Sequence, residues 1–311
     1  MLQKVTHNHI LATPKQALLT DDRQRVLRFA AEALTAGMAA ALVTLVEVRG
    51  GAARRPGAQM AVREDGAYCG FVSGGCVEAA AAYEALEALA CGDDREVIYG
   101  VGSPWFDIVL PCGGGITLAV HCLKSVTPLL AVLNQLTQRQ PAGLRYSPAD
   151  QSLQFLAHAP QSGRQEDFFA IGYRPATRVV IFGHSVEAQA TASIAKTAGY
   201  DVQTSDTFTP RLATLVDADT AVILLLHDLD IEQPVLEVAL AAKPFYIGAM
   251  GSQCTHVKRV QRLQNKGWSE KEIARIKAPI GIFPKARDAY SLALSVLADV
   301  AAARHQQGNE V

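Results

Sequence analysis

The chain has little of what marks nucleic-acid-binding, exported or membrane-embedded proteins. Its formal net charge is -1, which gives no overall attraction to nucleic acid or to an anionic membrane surface. No segment approaches the roughly 20 consecutive apolar residues that a membrane-spanning helix needs. Residues 1–20 mix His, Lys, Gln and Thr and lack the apolar core of a signal peptide. These absences predict a cytoplasmic protein.

Cysteine pairs at C-x-x-C spacing are also missing, although the chain has six cysteines. A structural zinc site is therefore not expected, and without an export signal neither are disulfides. Cys91, Cys122 and Cys254 are interpreted as small buried residues. Cys76 and Cys112 differ from them, because glycines surround both.

The length of 311 residues is sufficient for two ordinary domains. Residues 1–124 mix helical and strand patterns and predict a mixed α/β domain. Residues 125–175 carry one helical pattern and then scattered Pro and Gly, which predicts an irregular linker. Over residues 176–311 strands alternate with helices, which predicts a Rossmann-like doubly wound parallel sheet. The fold class is therefore α/β.

Apolar spacing sets the predicted elements. In the first domain they are helices over 21–37 and 77–90, and strands over 39–48, 59–62, 96–99 and 116–121. In the second they are strands over 179–182, 201–204, 221–226 and 245–247, and helices over 186–197, 234–241, 256–266 and 288–304. A capping box, Ser269-x-x-Glu272, predicts one further helix start.

The first strand-to-helix turn of the second domain resembles the dinucleotide fingerprint G-x-G-x-x-G/A, and it reads Gly183-His184-Ser185-Val186-Glu187-Ala188. Gly183 suits the tight turn, but Ser185 stands where a second glycine would let the backbone approach pyrophosphate. Asp206 follows the next strand, where an acidic residue can bond a ribose hydroxyl. The pattern therefore indicates the fold more strongly than nucleotide binding, and a scaffold kept for its shape is the alternative.

The segment Gly248-Ala249-Met250-Gly251-Ser252 lies between a predicted strand and a helix. Such a turn exposes backbone N–H groups at a helix N-terminus, so Gly251 and Ser252 are candidates for an anion site. The following helix adds Lys258, Arg259 and Arg262. A plain tight turn with a solvated basic face is the alternative.

The string Ser73-Gly74-Gly75-Cys76-Val77-Glu78 places Cys76 at the start of a helix. Helix N–H groups favour a thiolate, which is a soft donor for a soft metal. Glu78 lies in the first turn, where it either complements the helix dipole or bonds N–H groups of a ligand. The alternative for Cys76 is a thiol packed beside a turn.

Two further segments add candidates. Three glycines follow Cys112 and allow the backbone to approach a ligand closely, so Cys112 and Gly113 are possible contacts. The loop over residues 50–57 carries Arg54, whose planar donors suit a phosphate. If these loops converge with that of Cys76, they hold two thiols as candidate metal ligands at one site.

These motifs together resemble the xanthine dehydrogenase accessory protein family, XdhC/CoxI. The resemblance is carried by residues 47–79, by Cys112-Gly113-Gly114, by residues 248–252 and by Pro279-Ile280-Gly281. It implies a chaperone and not an enzyme. Such a chaperone binds molybdenum cofactor in a molybdopterin form, as a mononucleotide or a dinucleotide, protects it and passes it to an apoenzyme of the xanthine dehydrogenase or aldehyde oxidoreductase type. It also implies contact with a cysteine desulfurase, which adds the terminal sulfur, and a homodimer.

The parts of this cofactor match the candidate residues. Cys76 or Cys112 is expected to face the metal or its sulfur, and Glu78 to meet pterin N–H groups. Arg54 or the Gly251–Ser252 turn is expected to hold the phosphate.

Two other functions compete with this interpretation. One is an NAD(P)-dependent oxidoreductase built on the second domain, against which Ser185 counts. The other is a nucleotidyltransferase, which needs a Gly-rich loop with Arg or Lys near the N-terminus. Residues 1–20 contain no such loop.

Overall fold

The computed structural model of the chain describes residues 11–103, 110, 113–207, 209–210, 212–283 and 286–307. The chain forms two compact units, which divide between Pro175 and Ala176. None of the helices in the described ranges is long and apolar enough to cross a membrane.

The first unit is built on a six-stranded mixed sheet in the order β1-β4-β3-β2-β6-β5. Its strands are β1 (Lys15–Leu18), β2 (Ala40–Arg49), β3 (Gln59–Arg63), β4 (Ala67–Gly70), β5 (Arg95–Gly100) and β6 (Gly115–Cys122). The strands from β2 to β6 pair antiparallel with their neighbours, while β1 runs parallel to β4.

Two helices cover opposite faces of this sheet, α1 (Arg23–Thr35) and α2 (Glu78–Cys91). Because side chains alternate along a strand, Leu42 of β2 packs with α1, while Val43 packs with α2. Asp22 caps α1 by accepting a hydrogen bond from the N–H of Gln24. Both faces of β2 are therefore buried, which explains its continuous apolar run.

Residues 125–175 are not the irregular linker that the sequence predicted. They form α3 (Thr127–Thr137) and a four-stranded antiparallel sheet in the order β8-β7-β10-β9, which comprises β7 (Ala142–Ser147), β8 (Ser152–Leu156), β9 (Gly163–Arg164) and β10 (Phe169–Tyr173). Leu144, Ile171 and Tyr173 bury their side chains in the same core as α1. The prediction failed because Pro148 and Pro160 lie in the connections between strands and Pro141 lies directly before β7, all places where proline is expected.

The second unit has five parallel strands in the order β12-β11-β13-β14-β15, and this confirms the predicted Rossmann-like sheet. The strands are β11 (Arg178–Phe182), β12 (Asp201–Ser205), β13 (Thr220–Leu224), β14 (Tyr246–Ala249) and β15 (Ile276–Lys277). The helices are α4 (Val186–Thr197), α5 (Leu212–Leu215), α6 (Leu229–Ala242), α7 (Gln253–Asn265), α8 (Glu270–Ile273) and α9 (Ala289–Gln307).

Local chemistry sets where two of these helices begin. Ser269 and Glu272 form the predicted capping box at α8. Helix α6 begins at Leu229, five residues before the predicted start at Pro234. Asp228 caps it by accepting a hydrogen bond from the N–H of Asp230. The early start follows from this cap, and Pro234 then lies inside the helix, where it removes one backbone hydrogen bond.

Candidate functional site

Three loops of the first unit meet at one end of its six-stranded sheet. The loop after Arg49 ends β2, the loop after Gly70 ends β4, and a third loop precedes Gly115, which pairs with Arg49. A Cβ atom added to Gly114 would stand 2.1 Å from the carbonyl oxygen of Gly51, so these two backbones touch. The loop over residues 50–58 therefore contacts the segment that follows Cys112.

The same loop contacts the segment that carries Cys76. A Cβ atom added to Gly74 would lie 3.4 Å from the Cβ of Ala53. The Nε of Arg54 donates to the carbonyl oxygen of Ser73 at 3.4 Å, and its guanidinium lies 5.8 Å from the ring centre of Phe71. Residues 50–58 thus lie between the other two loops, and the sequence could not establish this convergence.

Cys76 is exposed at the surface of the first unit, directly before α2. Gly74 and Gly75 are exposed beside it. Gly75 has a φ of +106° and open space where a side chain would lie, so the turn needs a glycine while the surface above it stays free. The Sγ of Cys76 lies 3.5 Å from the Oγ of Ser73. The thiol is therefore accessible to a ligand.

Glu78 occupies a different place from the one expected. Its side chain is buried, and its carboxylate accepts hydrogen bonds from the backbone N–H groups of Val72, Ser73 and Val77 and from the Ser73 hydroxyl. The expected contact with pterin N–H groups does not match this placement, because both oxygens already bind donors of the loop itself.

Arg54 is half-buried and pairs with Asp21, whose Oδ2 lies 3.0 Å from the Nη1 of Arg54. Asp21 is the more exposed partner, and an exposed pair of this kind contributes only about 0–1 kcal/mol. An anionic ligand can therefore replace Asp21 at little cost. This makes Arg54 a suitable anion-binding residue next to the Cys76 loop.

Cys112 lies outside the described residues. Its neighbour Gly113 has a φ of +68° and open space around the position of a side chain. In the part of the chain that the structure describes, no group of three or more His, Cys, Asp or Glu side chains is arranged to hold a metal ion.

The other cysteines divide differently from the prediction. Cys69 and Cys122 are buried, and burial raises the pKa of their thiols to about 12 and about 11, respectively. Cys91 and Cys254 were expected in the core but are exposed, because they lie at the last residue of α2 and in the first turn of α7.

In the turn between β11 and α4, a side chain of the turn itself binds the helix N-terminus. The Oγ of Ser185 caps α4 by accepting a hydrogen bond from the N–H of Ala188. Gly183 has a φ of +133°, and a Cβ atom there would stand 2.5 Å from the carbonyl oxygen of Leu225. Packing alone therefore explains this glycine. Asp206 is exposed directly after β12.

The predicted anion site at Gly251 and Ser252 is closed in the same way. Ser252 caps α7 by accepting a hydrogen bond from the N–H of Thr255. The expected positive charge is also engaged: Arg259 is only 2% exposed and pairs with Glu232, and its Nη2 donates to the carbonyl oxygen of Met250 at 2.9 Å. The helix thus presents less free positive charge than its sequence suggested.

A buried polar network in the first unit was not predicted from the sequence. The Oδ2 of Asp94 lies 2.7 Å from the Nδ1 of His121 and accepts from the Tyr146 hydroxyl at 3.0 Å. Burial acts to raise the pKa of Asp94, but hydrogen bonds from His121 and the Cys122 N–H outweigh it, so the pKa is lowered. These residues are far apart in sequence, and no sequence motif indicates that they interact.

Comparisons with known proteins bear on both units. The family model for the XdhC and CoxI family matches residues 33–100, and that for the XdhC Rossmann domain matches residues 179–300. The chain is 62% identical over 295 residues to the molybdenum cofactor insertion chaperone PaoD of Escherichia coli, covering 94% of this chain and 93% of that protein.

Two more distant proteins are also similar. A probable xanthine dehydrogenase subunit of Bacillus subtilis is 23% identical, over 84% of this chain and 92% of that protein. A crystal structure of a xanthine dehydrogenase from Bacillus halodurans aligns with a TM-score of 0.68 at 20% identity, covering 90% of this chain and 96% of that one. At this identity the structural match supports the fold alone.

Proposed function

The chain belongs to the XdhC and CoxI family, and we propose that it is a molybdenum cofactor insertion chaperone. It binds the cofactor at the three loops of the first unit, protects it and passes it to an apoenzyme of the xanthine dehydrogenase or aldehyde oxidoreductase type. The proposal makes the protein a carrier, with the cofactor as its cargo rather than a resident catalytic group.

One observation carries this proposal: an exposed thiol, a guanidinium and bare glycine backbone lie together on three touching loops. Cys76 and Gly74 are exposed, Arg54 bonds to the same loop, and Gly75 leaves the surface above it open. A soft sulfur donor suits a molybdenum centre, and a guanidinium suits a phosphate. The arrangement therefore matches two chemically different ends of one ligand.

The residue assignments follow from that match. Cys76 contacts the metal or its terminal sulfur, and Cys112 is the proposed second thiol. Gly74, Gly75 and Gly113 provide the backbone that approaches the cofactor.

We assign the phosphate to Arg54 rather than to the Gly251–Ser252 turn, because the Ser252 hydroxyl already occupies the helix N-terminus there. In the second unit, Gly183 and Asp206 remain candidates for contact with a nucleotide. The Ser185 hydroxyl binds the N–H group that a pyrophosphate would otherwise meet, so an NAD(P)-dependent reaction is not part of the proposal.

Three partners complete the proposed function. The apoenzyme receives the cofactor, a cysteine desulfurase supplies the terminal sulfur while the cofactor is held, and a second copy of the chain forms a homodimer. In this proposal the protein passes the sulfurated form of the cofactor to the apoenzyme.

A transfer assay tests the proposal. The loaded protein, or the same amount of free cofactor, is added to a cofactor-free enzyme of the xanthine dehydrogenase type, and the activity gained is measured. We expect loaded wild type to activate more enzyme than free cofactor does, and Cys76→Ala to lose this advantage. Cys91→Ala is the matched control, since Cys91 is an exposed cysteine at the other end of α2. Equal activation by free cofactor and loaded protein would overturn the proposal.

A further inference from the structure

The loop that presents Cys76 is organised by a residue that cannot reach the surface. Glu78 is 2% exposed, whereas Cys76, two residues earlier, is exposed. The Glu78 carboxylate accepts from the N–H groups of Val72 and Ser73 where the loop enters, at 3.2 Å and 2.8 Å, and from that of Val77 where it leaves, at 3.2 Å. One carboxylate thus ties both ends of the loop together.

Ser73 links this carboxylate to the thiol. Its Oγ lies 2.9 Å and 2.8 Å from the two carboxylate oxygens of Glu78 and 3.5 Å from the Sγ of Cys76. The N–H of Gly75 also donates to this Oγ, at 3.3 Å. A serine hydroxyl has one proton to donate, and a carboxylate is the strongest acceptor within its reach. The hydroxyl is therefore fixed by Glu78 and in turn holds Gly75 and Cys76.

We propose that Ser73 and Glu78 are positioning residues, which hold Gly74, Gly75 and Cys76 in the conformation that receives the cofactor. This inference rests on the proposed function and reassigns Glu78 from a direct ligand contact to a support. Nothing in the sequence string distinguishes the two roles, because a glutamate in the first turn of a helix also suits the helix dipole. The burial and the hydrogen-bond partners of Glu78 decide between them.

The test compares two buried carboxylates of the same unit. Glu78→Gln replaces one oxygen with an amide nitrogen that faces donors, so the loop loses acceptors. Asp94→Asn makes the same chemical change in the network with His121 and Tyr146, at a site that shares no hydrogen bond with the Cys76 loop. Both variants are expected to lower the thermal midpoint, so the pair separates loop positioning from general loss of stability.

Cofactor affinity is the first readout. Loss of a supporting partner of a metal-site ligand typically costs about 10- to 100-fold in affinity, and we expect that loss for Glu78→Gln and Ser73→Ala. Asp94→Asn is expected to retain wild-type affinity, and Ser73→Thr to restore most of what Ser73→Ala loses, because it keeps the hydroxyl. Wild-type affinity in Glu78→Gln, or equal losses in the two carboxylate variants, would overturn the inference.

A second readout needs no cofactor. Hydrogen exchange of the peptide over residues 70–78 is expected to be faster in Glu78→Gln than in wild type, and unchanged in Asp94→Asn. Alkylation of Cys76 by iodoacetamide is expected to accelerate, while Cys91 and Cys254 in the same sample keep their rates. If wild type binds no cofactor, the proposed function fails, and unchanged exchange and alkylation in Glu78→Gln would show that the positioning role fails as well.

Discussion

Helix α2 of the first unit and helices α4 and α7 of the second begin in similar sequences. Their first turns differ in which side chains bind the helix N–H groups. Each follows a glycine-containing turn after a strand. Ser185 and Ser252 cap α4 and α7 with their hydroxyls. At α2 the N-cap residue is Val77, which provides no side-chain hydrogen bond to the helix. The two turns of the second unit are closed by the protein itself, whereas the turn of the first unit ends in an exposed thiol.

This difference teaches that a glycine-rich turn before a helix does not by itself indicate a ligand. Gly183 is explained by close backbone packing, and Ser185 and Ser252 each accept a hydrogen bond from one N–H group at their helix start. In the first unit the buried Glu78 carboxylate binds the backbone of the loop from the interior, and the Cys76 thiol stays exposed. Which side chain satisfies the turn therefore decides whether a ligand can bind there.

The largest expected effect comes from removing the buried ion pair between Arg259 and Glu232 in the second unit. Arg259→Leu leaves Glu232 buried without its partner, and removal of one member of a buried ion pair costs about 3–5 kcal/mol. Denaturant unfolding measures the loss. Arg262→Leu is the control, because its pair with Asp230 is exposed and worth about 0–1 kcal/mol. A cost for Arg259→Leu no larger than that of the control would mean that this ion pair does not hold the turn.

The next effect contrasts one glycine from each unit. Gly183→Ala adds a Cβ atom 2.5 Å from the carbonyl oxygen of Leu225 at a φ of +133°, so overpacking and backbone strain each contribute about 1–3 kcal/mol. Gly75→Ala at a φ of +106° meets no neighbour within 4 Å and incurs the strain alone. Unfolding free energies of the two variants should therefore differ by the overpacking contribution, and equal values would contradict the explanation by packing.

Much of this fold was predictable from the sequence because local signals agreed with tertiary packing. The capping box of α8 and the alternation of strands with helices in the second unit were both predicted correctly. The four-stranded sheet of residues 142–173 was not predicted, because its strands are short and the intervening prolines suggested a loop. Local spacing carries no information on which distant strands pair, and it is this pairing that makes the segment a sheet.

The candidate site was predictable in outline only. Cys76 lies before a helix as its position suggested, but its exposure and the direction of the Glu78 side chain depend on the path of the loop. Arg259 was expected to add positive charge beside the Gly251–Ser252 turn, and its burial was not predicted because arginine is rarely fully buried. Its partner Glu232 lies on a different helix, so sequence periodicity could not reveal the pair.

A smaller effect concerns the two serine caps. Ser185→Ala and Ser252→Ala each remove the side-chain acceptor at a helix start, which typically costs about 1 kcal/mol. Urea unfolding of each variant against wild type measures the change. Unchanged stability in both would mean that these serines do not close the turns, and the comparison between the units would lose its basis.

The smallest effect is a change in pH dependence. The lowered pKa of Asp94 means that its contribution to stability is fully present above the ordinary aspartate pKa of about 3.9 and is lost as the pH falls through the lower folded value. In Asp94→Asn the free energy of unfolding should therefore decrease less steeply than in wild type as the pH falls below about 4. Thermal midpoints recorded across this range check it, and an acid limb as steep as that of wild type would contradict it.

Equilibrium binding of molybdenum cofactor, released from a donor enzyme and separated by ultrafiltration, tests the central claim most directly. The measurement compares wild type, Cys76→Ala and Ser252→Ala. Cys76→Ala is predicted to bind about tenfold more weakly or worse. Ser252→Ala is predicted to retain the affinity of wild type. Full affinity in Cys76→Ala together with a loss in Ser252→Ala would place the cofactor on the second unit and contradict the central claim.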